Sequence, residues 1–215
     1  MLRKLIRTML PSKGSVFFNL FIEAAQNTHQ TAETFASIIN AKNSANEIKL
    51  SCELFQFKQK ANAINKNILV ELNNQFITPI DRGDIQKLSG LMLKLTKKIV
   101  KTNAKLKIYA IDIKTDDCLM SSAITLLNIS KILVEIMQAL KDENYEKISI
   151  AEQKTDEFDG NAIDDLRKAV SEMYSGNYDV MTILKLKEIY KSLESAIDIS
   201  VAIVDLVMQI SIKDM

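Results

Sequence analysis

Phe76-Ile77-Thr78-Pro79-Ile80-Asp81-Arg82-Gly83-Asp84-Ile85 is the stretch that decides how this chain folds. Proline disfavours the α region in the residue before it, so a helix arriving from the N-terminal side ends near Phe76. Asp81 then offers a carboxylate to cap a following helix, and Asp84 stands three residues on as an acid in its first turn. The stretch is a short break between two long helical patterns, a turn that any helical bundle could use.

Outward from this break the apolar spacing predicts six helices. The first runs from about Ser15 to Ala41, with Phe18, Phe21, Ile22, Ala25, Ala32, Phe35 and Ile39 on one face. The second runs from about Ser44 to Asn74. The third runs from about Arg82 to Ile111, with a stripe of Leu88, Met92, Leu95, Ile99, Leu106 and Tyr109. The fourth spans about Thr115 to Leu140, the fifth about Asn144 to Ser175, and the sixth about Tyr178 to Ile212. Gly176-Asn177 provides a left-handed exit from the fifth. Two prolines and five glycines in 215 residues suit helices of this length, which exceed the ordinary globular size and favour a bundle.

Composition narrows the function classes. The formal net charge is +1, which gives no bulk electrostatic case for nucleic acid. Cys52 and Cys118 lie far apart with no CxxC spacing, as expected of idle thiols in a reducing compartment. No segment reads as transmembrane: the most apolar run, Ile199 to Ile212, is short and carries Asp205. Residues 1–14 form a basic arm, with Arg3, Lys4 and Arg7 among Leu2, Leu5, Ile6, Met9 and Leu10. Pro11-Ser12-Lys13-Gly14 follows where a secretory signal would place its apolar region. The arm reads as a segment packed on the body, or as a basic amphipathic foot for an anionic membrane surface.

Carboxylates interrupt the apolar pattern of the fifth helix. Its stripe reads Tyr145, Ile148, Ile163, Leu166, Val170 and Met173, and Glu152, Asp156 and Asp159 occupy the intervening positions at spacings of three and four. Unpaired buried carboxylates take up protons or recruit a cation. The sixth helix adds Glu194 and Asp198, four apart on one face, with Asp205 two turns on. Four facing carboxylates make an all-oxygen site for a hard cation such as Mg²⁺, Ca²⁺ or Mn²⁺, or for iron. Acidic pairs at this spacing also occur on solvated faces, which spacing alone favours; placement inside the stripe raises the metal reading for the fifth helix. Lys94, Lys97, Lys98, Lys101 and Lys105 line the third helix, either as a solvated face or as a surface for anions.

The string from Phe76 to Ile85 resembles the FITPIDREDI signature of the PhoU-like family of phosphate-transporter accessory proteins, with Gly83 where that family usually has Glu. Phe17-Phe18-Asn19-Leu20-Phe21 supports the resemblance, which covers about Leu10 to Ile212. Leu193-Glu194-Ser195-Ala196-Ile197-Asp198 is similar to the family's LE-x-A-x-D. The resemblance implies an all-α fold of two pseudo-repeated three-helix bundles, at 15–112 and 113–215, in one compact unit. It also implies a metal centre at Glu152, Asp156, Glu194 and Asp198, holding a divalent metal or iron. In the first bundle the corresponding acidic positions fall on Lys58, Asn62, Leu93, Lys94 and Lys97, so no second metal centre is expected.

His29 is the single histidine, which excludes Glu-x-x-His di-iron chemistry. Nucleophile motifs, zinc-protease motifs and glycine-rich phosphate loops do not occur. The function the resemblance implies is non-enzymatic: a cytoplasmic, metal-linked accessory or regulator of inorganic phosphate transport. It would dock on a Pit-type permease or a signalling partner, at the inner face of the membrane, as a homodimer. The alternative is a metal-independent helical module for dimerisation and partner docking. A metal-dependent phosphohydrolase, the third reading, would need an acid–base group beyond the same carboxylates.

Overall fold

The computed structural model describes residues 15–41, 44–110 and 116–213. Six helices follow in order: α1 Ser15–Ile39, α2 Ser44–Asn74, α3 Arg82–Tyr109, α4 Asp117–Lys141, α5 Tyr145–Met173 and α6 Val180–Lys213. No strand occurs among the described residues. The predicted arm at 1–14 lies outside them. So do the predicted end of the third helix at Ile111, the predicted start of the fourth at Thr115, and the boundary between 112 and 113.

Local chemistry sets the helix ends. Asp81 Oδ1 accepts from the Gly83 and Asp84 N–H groups at the start of α3. Asp116 caps α4 through the Leu119 N–H, and Asn144 caps α5 through the Lys147 N–H. α6 begins at Val180, two residues after the expected start, because Asp179 stands outside the helix and accepts from the Met181 and Thr182 N–H groups. Ala110 ends α3 in the left-handed region (φ 49°), and Gly176 takes that region after α5 (φ 94°).

α1, α2 and α3 pack against one another, as do α4, α5 and α6; the two bundles join where α1 meets α4 and α3 meets α6. A single contiguous core runs through both, from Phe17, Phe21 and Phe35 in α1 to Ile203 and Val207 in α6. Polar pairs pin the joint. His29 Nδ1 lies 2.9 Å from Ser130 Oγ, which itself donates to the Leu127 carbonyl. Thr102 Oγ1 donates to the Lys98 carbonyl, so Ser192 Oγ is the donor in the buried 2.8 Å bond between them. His29 is thus a joint residue between α1 and α4.

α4 and α6 are long and apolar enough, by length and composition, to cross a bilayer, which differs from the reading of the sequence. About half of each such window is buried inside the bundle, where those apolar residues form the shared core.

Polar contacts between helices also fix which ends lie together. Across the two bundles, Lys141 Nζ reaches Asn19 Oδ1 at 2.9 Å and Lys213 Nζ reaches Asp84 Oδ2 at 2.9 Å. Within the first, Ser89 Oγ donates to Asn65 Oδ1 at 2.8 Å. The start of α1, the α2–α3 loop, the α4–α5 turn and the end of α6 therefore share one end of the molecule.

Candidate functional site

The α2–α3 loop is a clasp. Arg82 donates to the carbonyls of Leu72 and Gln75, satisfying acceptors that the end of α2 leaves open. Thr78 Oγ1 donates to the Ile80 carbonyl at 2.8 Å. Ile80 is buried in the core, and Asp81 caps α3. Thr78, Pro79, Ile80, Asp81 and Arg82 thus all serve the turn itself. Phe76 and Ile77 do not: Phe76 is fully exposed and Ile77 is 63% exposed. Gly83 has no positive φ, so its backbone does not require glycine, but a Cβ there would lie 3.0 Å from Asp81 Oδ1, and that capping oxygen would have to give way to it.

The buried face of α5 differs from the expected stripe. Its buried residues are Ile148, Ala151, Thr155, Ala162, Leu166, Ala169 and Met173. Tyr145, Ile163 and Val170, read as core, are exposed. Ala151, Thr155 and Ala162 are buried where the sequence reading had placed their neighbours Glu152, Asp156 and Ile163 on the stripe, and the stripe is rotated accordingly. The acids consequently flank the core and do not interrupt it: Glu152 and Asp159 are half-buried and Asp156 is exposed.

These acids form a seam with α6. Burial, with the charges of Asp156 and Asp205, raises the Glu152 carboxyl above its usual range. Burial and the charges of Asp198, Asp156 and Asp205 do the same for Asp159. Burial and the Asp156 charge raise Asp205. The antiparallel register therefore sets Asp198 against Asp159, and Asp205 against Glu152 and Asp156. Of the four residues read as metal ligands, Glu152, Asp156 and Asp198 lie on this seam. Glu194 is exposed one turn beyond Asp198, on the side away from Asp205. Asp159 and Asp205 complete the seam, and the seven-residue spacing from Asp198 to Asp205, two helical turns, was the signal for the latter. Among the described residues no three or more His, Cys, Asp or Glu side chains are grouped so that they could hold a metal ion.

The lysines of α3 run beside α6 on its other flank. Lys105 Nζ pairs with Glu188 Oε2 at 2.9 Å. Burial and the charges of Lys105, Lys101 and Lys94 lower the Lys98 ammonium, with Asp198 opposing them. Lys98 and Lys105 are half-buried, whereas Lys94, Lys97 and Lys101 are exposed. In α2, Lys58 lies 5.6 Å from the centre of the Phe55 ring, and Asn62 donates to the Lys58 carbonyl. Both cysteines are free: Cys52 is exposed and Cys118 buried. Burial and the nearby Asp116 charge push the Cys118 thiol up to about 12, which leaves it protonated and inert.

No family model matches the chain. It is 24% identical over 190 residues to the UPF0111 protein YkaA of Bacillus subtilis, spanning 88% of this chain and 92% of that one. It is 27% identical over 106 residues to a Rhizobium meliloti protein named "Putative pit accessory protein", spanning 49% of this chain and 48% of that protein. Among solved structures it superposes on a PhoU-like protein from Shewanella oneidensis with a TM-score of 0.81 at 9% identity, over 92% of this chain and 99% of that one. A protein from the same organism described as a "putative PhoU-like phosphate regulatory protein" gives a TM-score of 0.78 at 10% identity, over 92% and 99%. The six helices have the PhoU-like fold.

Proposed function

We propose that this protein is a non-enzymatic accessory protein of inorganic phosphate transport that acts at the cytoplasmic face of the membrane by docking on a phosphate permease. The observation that carries this reading is the PhoU-like fold, joined to similarity over about half the chain with a relative named as a pit accessory protein. The clasp between α2 and α3 supports it, because that loop is rigidly built yet presents two large apolar side chains outward. The test is co-purification of the tagged protein with a Pit-type permease from detergent-solubilised membranes, together with phosphate uptake in cells with and without this chain. Co-purification and an altered uptake rate support the reading; an uptake rate indifferent to the protein, with no permease retained, removes it. Light scattering of the purified protein checks the accompanying expectation of a homodimer.

A metal link at the α5–α6 seam is a separate proposal, supported by the negative charge pooled there and by the resemblance of the Glu194 and Asp198 stretch to the family's acidic motif. Elemental analysis of the wild type beside a Glu152→Ala/Asp198→Ala variant tests it. Stoichiometric Mn, Fe, Mg, Ca or Zn that the variant loses would establish the link. No metal in either protein after incubation with divalent ions would leave a metal-independent docking module.

A further inference from the structure

We infer that the outward face of α2 is the surface through which two copies of this chain pair, α2 lying parallel to α2. The permease reading is not needed for this, and the expected homodimer gains a definite interface from it. α2 packs on α1 and α3 through residues that include Leu54, Ala61, Ile64 and Ile68. On its other side, positions alternating by four and three residues are all exposed: Ile48, Cys52, Phe55, Gln59, Asn62, Lys66 and Leu69. That is the heptad spacing of a helix lying along a second helix. Ile48 is 62% exposed, Phe55 52% and Leu69 39%, and Val70 beside them is 47% exposed. With its polar members the face offers several hundred Å² per copy, on the order of the 800 Å² that each partner of a stable pair buries. It holds no acid and one lysine.

What identifies a second copy as the occupant is the match of this face and its flanks with themselves. A two-fold axis along the helices sets Ile48, Phe55 and Leu69 each against its own counterpart, apolar on apolar. Asn62 and Lys66 meet their counterparts in the middle, where polar residues lower affinity and fix register. The flanking charges choose the direction. Toward α3 the flank is basic, with Lys58 on α2 and the exposed Lys94, Lys97 and Lys101 on α3. Toward α1 it carries Glu23, Glu53 and Glu71 together with Lys49 and Lys60, the last of these 3.7 Å from Glu23. A parallel pair brings the α3 flank of each copy to the α1 flank of the other. The levels agree as well. The Ser89–Asn65 and Asn103–Ser51 bonds set Lys94 level with Lys60, hence with Glu23, and Lys101 level with Glu53. An antiparallel pair would instead lay the lysine flank against its own copy, which like charges oppose.

Sedimentation equilibrium of the full chain tests the pairing, and a short bis-maleimide tests its direction. The wild type is expected to be dimeric. Phe55→Ser/Leu69→Ser should dissociate at least about tenfold more readily, since both copies lose the transfer of these side chains out of water. Its circular dichroism should match the wild type, because neither residue belongs to the core. Met181→Ser/Leu184→Ser, which alters exposed apolar residues of α6, should pair as the wild type does. Parallel pairing places Cys52 beside Cys52 of the second copy, so the reagent should link the wild type into a covalent dimer. Cys52→Ser should abolish the link, because the other thiol, Cys118, is buried. Labelling of Cys52 by a monofunctional reagent should also slow as the protein is concentrated. A wild type monomeric at about 100 μM, well above the micromolar limit for interfaces of standard size, would overturn the inference. So would a serine variant that pairs undiminished, or a dimer that the reagent fails to link. A monomer that still retains a phosphate permease would overturn this inference and leave the permease reading standing.

Discussion

Arg82 donates from Nη1 to the main-chain carbonyl of Gln75 at 2.8 Å, across the turn that separates α2 from α3. A second nitrogen of the same guanidinium reaches the Leu72 carbonyl. A residue of one helix thus caps the C-terminal end of its predecessor, where the helix dipole favours a cation and the last carbonyls lack partners. Arg82→Ala should cost about 1–3 kcal/mol, as expected for charge-assisted bonds whose acceptors are left partly unsatisfied. Arg82→Lys should recover only part, because one ammonium does not reproduce the planar fork that spans two carbonyls. Urea titrations with unchanged slope would report the difference; an alanine variant as stable as the wild type would show that water replaces the arginine.

That clasp shows which parts of the molecule were legible in the sequence. The break at Pro79 and the cap at Asp81 are set by neighbours within three residues, so the helix boundaries around them followed directly. The α1 and α3 faces were equally readable, because Phe18, Phe21, Phe35, Leu88, Met92 and Leu95 mark their core with large side chains. The face of α5 was not. Its core contains Ala151, Thr155 and Ala162, residues whose size lets a neighbouring helix come close and whose burial depends on that neighbour. Hydrophobicity assigns such positions weakly, so Ile163 and Val170 captured the stripe and drew the acids inward. Grouping the acids needed the register of α5 against α6, which is tertiary. The role of Arg82 was hidden for a related reason: its partners are carbonyls, which carry no sequence signal.

Two glycines sit in helix interiors without a steric reason. Gly90 in α3 and Gly160 in α5 are exposed, and a Cβ at either would meet no atom within 4 Å. Alanine freezes less backbone entropy on folding and favours the helix by about 1 kcal/mol over glycine. Gly90→Ala and Gly160→Ala should each stabilise by about that amount, and the double variant should gain close to the sum because the sites lie on separate, exposed helix faces. Thermal melts of the three variants would check this; a loss at either position would mean that a backbone approaches there in the native protein.

The two thiols should react very differently. Cys52 is exposed on α2, whereas Cys118 is buried in α4 with its thiol held protonated. A thiol reagent added to native protein near neutral pH should modify one equivalent, mapped by mass spectrometry to Cys52. The second equivalent should appear only with denaturant, at the rate of unfolding. Modification of Cys118 in the native state at the speed of Cys52 would contradict the packing of the start of α4 against Tyr190 and Asp116.

The acidic seam makes stability depend on pH in a predictable direction. Glu152, Asp159 and Asp205 have folded pKa values above their unfolded ones, through burial and mutual repulsion. The folded state then binds more protons than the unfolded state in the intervening range, so stability falls as pH rises through that range. The seam costs nothing below the unfolded values, near ~4, and its full cost is present above the folded ones. On α3, Lys98 faces Asp198 and offsets part of that residue's charge, so Asp198 is best left in place. Asp159→Asn/Asp205→Asn should therefore melt at a higher temperature than the wild type at neutral pH, and the two curves should converge as the pH approaches ~4. Comparing the variant with the wild type at each pH cancels the titration of all other carboxylates. Added salt should narrow the gap at neutral pH by screening the half-exposed charges. An offset of the same size in acid and at neutrality would assign the effect to packing of the new amides and not to the seam's charge.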